Sequence, residues 1–515
     1  MPKPIFPKLT APDKADICLL LEGTYPYVRG GVSSWVHQLI LGHPHYTFAL
    51  IFVGASEEHY SIMHYELPKN VCHFEQHFLS DGINLGRPEP RNINPEIITT
   101  LKSLYQQLAE GGQAPPLGKI SGLRKALFQV VKYDAEDIFY SIEIWDMIVE
   151  TYRENCPHLP FNEFFWNVKA MHAPILSILK IAQHAPLADC YHTISTGYAG
   201  LLGLFLRLMK NKPLIVTEHG IYTKERQIDL YQVDWIKEQN PDIAAGLDSR
   251  ISYIRQLWMQ FFEGLGRLTY SASISIVTLY EQNRQKQIDL GAPPDRSIVI
   301  PNGVDIERFV HLRNKRNHNI PPILCLLGRV VPIKDIKTYI RAIDLLRKQI
   351  PNAEGWIVGP EEEEEEYADE CHTLVKQLGL SNHVKFLGFQ NISDILPKIS
   401  LMTLSSISEG QPLVILEGYA AGVPILSTDV GSCRELAEGR TDEDRALGSA
   451  GEIVPIANPR ALADAAANLL NDEKRWYAAQ ASAIARVEKY YGEQTFLNNY
   501  QQLYTKVLAY GRNRV

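Results

Sequence analysis

The sequence contains few cysteines, and their positions fit neither a metal site nor a disulfide framework. Seven cysteines are scattered through 515 residues, and no two of them form a C-x-x-C pair. Structural zinc sites need such closely spaced pairs, and small secreted domains need an even set of paired cysteines. We therefore expect the thiols to be reduced and no zinc to be bound.

Long apolar runs are also missing from the sequence. The best candidate, 171–188, contains His172, Lys180 and His184, whereas a membrane-spanning helix needs about 20 predominantly apolar residues. The first 13 residues carry prolines and charges in place of the apolar segment of a secretion signal. We interpret residues 1–13 as a flexible tail and expect a cytoplasmic protein.

The chain has no excess of positive charge. Its 59 acidic residues outnumber its 51 basic residues, which gives a net charge of −8. A basic surface is the electrostatic signature of proteins that bind nucleic acid. We therefore expect no nucleic-acid partner, and any anionic small ligand has to be held by local cations.

The composition is that of a large globular protein. Apolar residues make up 45% of the chain and charged residues 21%, as in ordinary soluble domains. A length of 515 residues exceeds a single hydrophobic core and fits two or three domains. Short apolar runs such as 17–21 alternate with helical patterns, which predicts an α/β fold with parallel strands.

The stretch 404–431 has the pattern strand, loop, helix, turn, strand. An apolar run ends just before Glu409, and a helical pattern opens at Pro412. Free backbone N–H groups at a helix N-terminus attract phosphate or sugar oxygens. We therefore expect the loop before this helix to bind a ligand. Its residues are Glu409, Gly410, Gln411, Pro412 and Leu413.

Two glutamates bracket the start of this helix. Glu409 lies before it and Glu417 inside it, with seven residues between them. Carboxylates repel phosphate, so we expect both to accept hydrogen bonds from hydroxyl groups. The spacing resembles the E-x7-E motif of retaining glycosyltransferases of family four, in which the first glutamate holds the donor sugar and the second the ribose. The alternative is that Glu409 caps the helix and Glu417 is solvated.

A glycine pair follows the first predicted strand. Gly30 and Gly31 lie in LLLEGTYPYVRGGVSSWVHQLI, where they form either a phosphate-binding turn or a plain one. Glycogen and starch synthases carry K-x-G-G here, and Val28 replaces that lysine. Together with TEHGIYTKERQIDL and VIPNGVD, the stretch resembles the PelF-type glycosyltransferases of bacterial Pel exopolysaccharide assembly. The resemblance covers most of residues 14–515 and is thinnest over about 56–186.

This resemblance implies a GT-B fold, in which two Rossmann-like domains face each other across a cleft. The N-terminal domain would span 14–300 and bind the acceptor, with a helical insertion over about 56–186. The C-terminal domain would span 301–492 and bind the nucleotide sugar. A terminal helix, 493–515, would cross back to the first domain, and its apolar spacing predicts an amphipathic helix.

Two cations follow the first predicted strand of the second domain. Arg329 and Lys334 stand five positions apart in LCLLGRVVPIKDIK. The planar fork of arginine and the mobile charge of lysine both suit phosphate oxygens. By resemblance they clamp the diphosphate of the donor, and with Glu409 and His219 they form the expected catalytic group. An isolated pair of this kind is more often solvated.

The resemblance places further residues at the site. His219, at the end of a predicted strand, lines the donor-sugar or acceptor pocket, although a buried structural histidine is the alternative. Gly303 approaches the ligand from a turn, and the backbone of Phe389 and Gln390 meets the nucleobase. Weaker candidates are Glu218, Arg226, Glu281 and Arg284.

The implied function is transfer of a hexose or N-acetylhexosamine from a UDP-sugar to a growing Pel-type exopolysaccharide, with retained configuration. We see no Asp-x-Asp arrangement of the kind that holds a divalent metal, and we expect neither a metal nor another cofactor. Expected partners are the nucleotide-sugar donor, a saccharide acceptor and inner-membrane components of a polysaccharide synthase. Two alternatives remain open: a non-catalytic UDP-sugar-binding subunit, and a glycoside hydrolase that uses Glu409 and Glu417 as its carboxyl pair.

Overall fold

Two β-sheets organise the chain. The computed structural model describes residues 6–9, 13–79, 93–109, 112–118, 124–133, 135–157, 159–232, 253–316 and 320–512. They fall into two units. The first comprises Met1–Thr278, Arg284–Ile298 and Gln501–Val515, and the second comprises Leu279–Asn283 and Val299–Tyr500. The expectation of an α/β fold with two Rossmann-like sheets is confirmed.

The first sheet has seven strands within the described part of the chain. They are β1 (Ala15–Glu22), β2 (Phe48–Gly54), β3 (Val71–Phe78), β4 (Ala188–Thr193), β5 (Leu214–Glu218), β6 (Ser275–Thr278) and β7 (Ser297–Val299). Their order in the sheet is β3-β2-β1-β4-β5-β6-β7, and every pairing from β3 to β6 is parallel. β1 and β2 are buried almost throughout, because helices cover a parallel sheet on both faces.

Helices alternate with these strands along the chain. They are α1 (Gly31–Leu41), α2 (Pro95–Ala109), α3 (Arg124–Val130), α4 (Ala135–Phe139), α5 (Ile142–Asn155), α6 (Phe161–His184), α7 (Tyr198–Lys210), α8 (Tyr222–Gln232), α9 (Tyr253–Ala272) and α10 (Glu281–Asp289). Two 3-10 turns lie at Glu57–Tyr60 and Pro294–Arg296. Helix α7 is buried along nearly its whole length, as its run of apolar residues favours.

The predicted start of the helical insertion was wrong. The region 56–186 contains β3, which pairs in parallel with β2 and forms an edge of the first sheet. The helices of the region begin only at α2 and continue to α6. The strand was missed because VCHFEQHF mixes polar and apolar residues, whereas a strand buried on both faces has a continuous apolar run.

Most of the apolar stretch 171–188 lies in the second half of α6, which ends at His184, and Ala188 begins β4. Met171, Ile178 and Leu179 on this helix are buried in the core of the first unit. Its apolar residues are therefore explained by packing inside the protein. Across the described ranges, no helix combines the length and the apolar character that crossing a membrane requires.

The second sheet has six strands in the part of the chain that the structure describes. They are β8 (Ile323–Leu327), β9 (Glu354–Val358), β10 (Val384–Phe386), β11 (Leu401–Leu404), β12 (Ile425–Thr428) and β13 (Gly451–Val454). They lie in the order β10-β9-β8-β11-β12-β13, and all neighbours are parallel. The order reverses between β8 and β11, the place where open α/β sheets bind ligands.

The helices of this part of the chain range from four to 20 residues in length. They are α11 (Glu307–Val310), α12 (Ile336–Leu346), α13 (Glu365–Gln377), α14 (Ile392–Ile395), α15 (Leu413–Ala420), α16 (Cys433–Glu438), α17 (Asp442–Arg445), α18 (Pro459–Asn471), α19 (Glu473–Tyr490) and α20 (Glu493–Arg512). The 3-10 turns are Arg313–Lys315, Pro332–Lys334 and Leu396–Lys398.

Residues near both chain ends contact the first sheet. Of the predicted tail 1–13, residues 1–5 and 10–12 lie outside the described residues. Within 6–9, the Pro7 carbonyl accepts a hydrogen bond from the Phe74 N–H at 2.9 Å. Helix α20 belongs to the first unit from Gln501 onwards. There the Tyr504 hydroxyl lies 2.8 Å from Nδ1 of His192 on β4.

Candidate functional site

The loop between β11 and α15 is the centre of the candidate site in the second unit. β11 ends at Leu404, and α15 begins at Leu413 with Pro412 in an extended conformation at its N-cap. We had expected Pro412 one position further into the helix, a difference within the usual variation of helix boundaries. The first N–H groups of α15 have no partner within the helix, so this loop can receive an anion.

Lys334 and Glu409 form an ion pair at this loop. Lys334 Nζ lies 2.5 Å from Glu409 Oε1, and the Ser406 hydroxyl donates to the same oxygen at 2.6 Å. The Ser405 hydroxyl donates to the Lys334 carbonyl at 2.8 Å, which ties the cation to the end of β11. No side chain caps α15, so the alternative that Glu409 is a helix cap does not describe this contact. The structure brings together a lysine and a glutamate 75 positions apart.

Gly431 allows the loop to pack against the end of β12. Its φ of +55° lies in the left-handed region, and a Cβ atom there would overlap the carbonyl oxygens of Glu409 and Gly410. The Gly410 carbonyl accepts a hydrogen bond from the Ser432 N–H at 2.9 Å. Gly431 therefore sets the position of the loop that carries Glu409. Its place directly after a predicted strand was the signal that could have identified it.

Arg329 forms an ion pair with Glu363, which was not among the predicted site residues. Both carboxylate oxygens of Glu363 accept hydrogen bonds from one terminal nitrogen of Arg329, at 2.7 Å for Oε2. About half of each side chain is exposed. Glu363 belongs to the run of six consecutive glutamates 361–366. A cation suited to phosphate is thus held by a carboxylate that an anionic ligand would have to displace.

Glu417 lies on α15 in a poorly solvated position. Burial raises the pKa of its carboxyl group to about 7, and the positive charge of Arg308 opposes that rise. The alternative that Glu417 is solvated is therefore not what the structure shows. A carboxyl group with this pKa is partly protonated near neutral pH, so it can either donate a hydrogen bond to a ligand hydroxyl or accept one.

We expect Glu417→Gln to make the ligand-free protein more stable at alkaline pH. The pKa of about 7 exceeds the value of 4.5 for an unperturbed glutamate, so the stability that this carboxyl gives below pH 4.5 is lost as the pH rises through 7. Glutamine does not titrate in this range. The free energy of unfolding of the variant, relative to that of the parent, should therefore rise by up to about 3 kcal/mol between pH 5 and pH 8.5. Urea unfolding at the two pH values measures the change, and Glu473→Gln, at an exposed position, is the control. Equal pH dependence in both variants would contradict the burial effect.

Phe389 and Gln390 follow the short strand β10. The Phe389 side chain is 85% exposed, which leaves its ring free to stack on a flat ligand. The Gln390 side-chain amide donates to the Leu387 carbonyl at 2.8 Å, and the Gly388 carbonyl accepts from the Gly359 N–H at 2.9 Å. These contacts fix the turn that presents Phe389.

The structure gives Gly303 and Gln411 packing roles. A Cβ atom at Gly303 would lie 2.6 Å from Cβ of Phe496, so glycine is needed for the start of α20 to approach. The Gln411 side-chain oxygen accepts a hydrogen bond from the Asn302 N–H at 2.6 Å. These two predicted ligand-binding residues therefore connect the turn at Asn302 with the loop before α15 and with α20.

The first unit contains a cavity of about 630 Å³ at the carboxyl ends of its strands. This is the edge of an open α/β sheet where ligands bind. Three predicted site residues, Glu218, His219 and Arg226, line the cavity. The guanidinium carbon of Arg226 lies 5.1 Å from the centre of the Tyr222 ring, which orients this cation.

His219 is a neutral, buried imidazole in this cavity wall. Burial lowers its pKa to about 4. Its ring meets the Trp35 ring edge to face at 4.7 Å between centres. Among the described residues, none forms a hydrogen bond with its Nε2 atom. A buried polar atom without a partner costs stability, and that observation favours a ligand-binding role over a purely structural one.

Glu218 is fully surrounded by donors. Its carboxylate accepts hydrogen bonds from the hydroxyls of Thr196 and Tyr270 at 2.9 and 2.6 Å, and from the Gln287 amide at 2.8 Å. Burial raises the pKa of Glu218, and these hydrogen bonds oppose the rise. The residue therefore shapes the cavity wall and holds the turn that carries His219.

Glu22, at the end of β1, is a cavity residue that we had not predicted. One carboxylate oxygen accepts from the Tyr222 hydroxyl at 2.8 Å, and the other accepts from the Ser195 hydroxyl at 2.8 Å and the Ala199 N–H at 2.9 Å. The position of this glutamate at the end of the first apolar run was a usable signal, because strand ends form ligand sites in this class of sheet.

The remaining predicted residues lie at the starts of two helices. Gly30 is the N-cap of α1 and Gly31 its first residue, and a side chain at either would meet open space. Glycine is therefore not required there by packing. Glu281 is the first residue of α10, with its N–H donating to a Glu435 carboxylate oxygen at 2.8 Å, and Arg284 lies one turn further along.

The sequence does contain one Asp-x-Asp triplet, 442–444, which the search for a metal-binding motif missed. Asp444 forms a buried ion pair with Arg486, with 2.6 Å between Oδ1 and Nε, so it has a structural role. Over the ranges that the structure covers, no group of three or more histidine, cysteine, aspartate or glutamate side chains is placed to hold a metal ion.

Two protein families match the chain. The family described as "Domain of unknown function (DUF3492)" matches residues 15–295, and the family described as "Glycosyl transferases group 1" matches residues 310–486. A curated relative, the D-inositol 3-phosphate glycosyltransferase of Corynebacterium glutamicum, is 26% identical over 55% of this chain and 65% of its own length. The chain spans between 54% and 65% of the length of three such relatives.

Solved structures with similar folds cover nearly the whole chain. HepE of Anabaena, solved in complex with UDP, has a TM-score of 0.56 and 16% identity, covering 95% of this chain and 100% of its own. Sucrose-phosphate synthase of Thermosynechococcus elongatus has a TM-score of 0.57 and 16% identity, covering 96% and 99%. At this identity the similarity concerns the fold, and with the two parallel sheets it confirms the predicted GT-B class.

Proposed function

The chain belongs to the family described as DUF3492, and from its second family match and the site in its second unit we propose that it is a glycosyltransferase. It would move a hexose or N-acetylhexosamine from a UDP-sugar to a growing saccharide. The match of residues 310–486 to group 1 glycosyltransferases supports the reaction class. HepE, a protein of similar fold, was solved with UDP and with UDP-glucose, which supports the choice of base.

The observation that carries this proposal is the contact of Lys334 with Glu409 beside the N-terminus of α15. A cation, a carboxylate and the free N–H groups of α15 are therefore brought together at one loop. Phosphate oxygens need the cation and the N–H groups, and sugar hydroxyls need the carboxylate. A nucleoside diphosphate sugar presents both kinds of group. We assign the donor sugar to Glu409, the ribose to Glu417 and the base to the exposed ring of Phe389.

The reaction breaks the bond between the anomeric carbon and the diphosphate oxygen. Negative charge then develops on the diphosphate, and Lys334, Arg329 and the N–H groups of α15 stabilise it. A bond forms between the anomeric carbon and the acceptor oxygen, and the acceptor proton passes to a diphosphate oxygen. We propose that the acceptor oxygen attacks the anomeric carbon from the side on which the diphosphate leaves, so that the configuration is retained. We also propose that no metal takes part.

In the first unit we assign the acceptor to the cavity lined by Glu22, Glu218 and His219. With a pKa of about 4, His219 is a weak base, so its role is a hydrogen bond to a sugar hydroxyl. The resemblance of the stretches 19–40, 217–230 and 299–305 to PelF-type enzymes supports a Pel-type exopolysaccharide as the acceptor. We further propose that the protein works at the cytoplasmic side of an inner-membrane polysaccharide synthase.

Glu363→Gln should tighten the binding of UDP about two- to fivefold. The Glu363 carboxylate occupies Arg329 in the ligand-free protein, and an exposed ion pair of this kind is worth less than about 1 kcal/mol. Calorimetric titration with UDP measures the change. Glu362→Gln, the neighbouring charge in the same acidic run, is the control for net charge. If both variants gain equally, the specific contact with Arg329 is not what limits affinity.

A transfer assay on the purified full-length chain tests the function. UDP-glucose, UDP-N-acetylglucosamine and UDP-N-acetylgalactosamine are each supplied with an oligosaccharide acceptor and excess EDTA, and UDP and the elongated sugar are measured together. We expect stoichiometric amounts of both from at least one donor. UDP binding without turnover would favour the non-catalytic subunit, and cleavage of the oligosaccharide without any nucleotide would favour the hydrolase.

A further inference from the structure

Two tryptophans are exposed on the helical insertion of the first unit. Trp145 on α5 and Trp166 on α6 are 40% and 48% exposed, and Ile142 beside them is 55% exposed. Large apolar side chains at this exposure are uncommon as neighbours on a protein surface, and grouped ones mark interaction sites. The cavity of the first unit and the loop of the second unit include none of the three.

The two indoles flank one buried phenylalanine. The Phe165 ring centre lies 5.5 Å from that of Trp145 and 5.5 Å from that of Trp166. The ring centres of the two tryptophans are therefore at most twice that distance apart, close enough for one oligosaccharide to contact both. Phe161, 5.6 Å from Trp145, continues the aromatic surface beneath them.

Trp166 is held in place from below. Lys169 Nζ lies 5.2 Å from the centre of the Trp166 ring and 5.1 Å from that of Tyr140. The lysine is 2% exposed, so its charge lies under the indole and acts as a support that solvent does not reach. A rigid aromatic ring loses little entropy when a ligand binds to it.

Within one helical turn of each tryptophan, the charged side chains that solvent reaches are negative. Glu143 and Asp146 are exposed on either side of Trp145 in α5, and Glu163 lies one helical turn before Trp166. Carboxylates accept hydrogen bonds from sugar hydroxyls, whereas they repel anionic lipid headgroups and acidic polysaccharides. Aromatic rings with a carboxylate rim therefore suit an uncharged, hydroxyl-rich chain.

We propose that the face formed by Trp145, Trp166 and Ile142 is a saccharide-binding platform for an uncharged glycan. The apolar faces of two sugar rings would stack on the indoles, and their hydroxyls would donate to the surrounding carboxylates. The role of this platform in chain growth, holding a lengthening product, rests on the proposed glycosyltransferase function. Its capacity to bind sugar does not.

Calorimetric titration of the full-length protein without nucleotide tests the platform. The probes are chitohexaose, maltohexaose, dextran sulfate and vesicles containing phosphatidylglycerol. We expect at least one neutral hexasaccharide to bind, and the double variant Trp145→Ala/Trp166→Ala to weaken that binding by at least about tenfold. Tyr477→Ala, which removes an aromatic side chain of similar exposure from the second unit, should change nothing. Circular dichroism confirms that the variants are folded.

Three outcomes overturn the proposal: neither neutral hexasaccharide binds, the double variant binds the sugar as the parent does, or the vesicles capture the parent and not the double variant. The proposed glycosyltransferase function is tested independently, because the platform can bind sugar even if the chain transfers none. Where transfer occurs, the double variant should give shorter products while its initial rate on a monosaccharide acceptor is unchanged.

Discussion

Replacing Lys334 with alanine should slow sugar transfer by roughly two to three powers of ten. In the proposed reaction the departing diphosphate gains charge beside this ammonium group, whose position is fixed in advance by Glu409 and by the end of β11. Removing one preorganised donor to a developing charge costs about 3 to 4 kcal/mol in the transition state. The measurement is kcat with saturating donor, because the loss concerns the transition state more than binding.

Lys337→Ala is the matched control for this experiment. Lys337 lies three residues further along the chain and also forms an ion pair, with Glu370, but on the surface. Its loss should leave kcat within about twofold of the parent, because an exposed ion pair contributes little. Arg329→Ala should cause an intermediate loss, since this side chain is about half exposed. A Lys334→Ala enzyme as fast as the Lys337→Ala enzyme would show that Lys334 is not part of the reaction.

Apolar runs and helical spacing in the sequence predicted those strands and helices whose burial follows a regular pattern. The apolar strands β1, β5 and β11 and the amphipathic helix α20 could be predicted because burial on one or two faces leaves an apolar run or a periodic pattern in the sequence. The edge strand β3 could not, because a strand at the rim of a sheet needs no continuous apolar run and its sequence mixes polar and apolar residues.

The same distinction applies to the candidate site. Residue types and spacing predicted Lys334, Glu409 and Glu417, since phosphate and hydroxyl groups call for such side chains. The contact between Lys334 and Glu409, and the pKa of about 7 at Glu417, depend on packing that no spacing encodes. Glu363 was missed for this reason, because only the folded chain brings the acidic run to Arg329.

Replacing Gly431 with alanine should displace the loop that carries Glu409 and weaken UDP binding at least about tenfold. The added methyl group would overlap the carbonyl oxygens of Glu409 and Gly410, and these backbone atoms can only yield if the loop shifts. A displacement of about 1 Å in positioning groups can cost a hundredfold in rate. Calorimetric titration with UDP measures the affinity, and kcat should fall with it.

Gly379→Ala separates the displaced loop from simple backbone strain. Gly379 has a φ of +63°, close to the +55° of Gly431, but a Cβ atom there meets nothing within 4 Å. Both variants therefore lose about 1 to 2 kcal/mol of stability from the left-handed conformation, and only Gly431→Ala also moves the loop. A weaker affinity for UDP in Gly431→Ala than in Gly379→Ala would locate the effect in the loop before α15. Equal affinities would mean that this loop does not hold the nucleotide, and the assignment of Lys334 and Glu409 to the donor would then lose its structural basis.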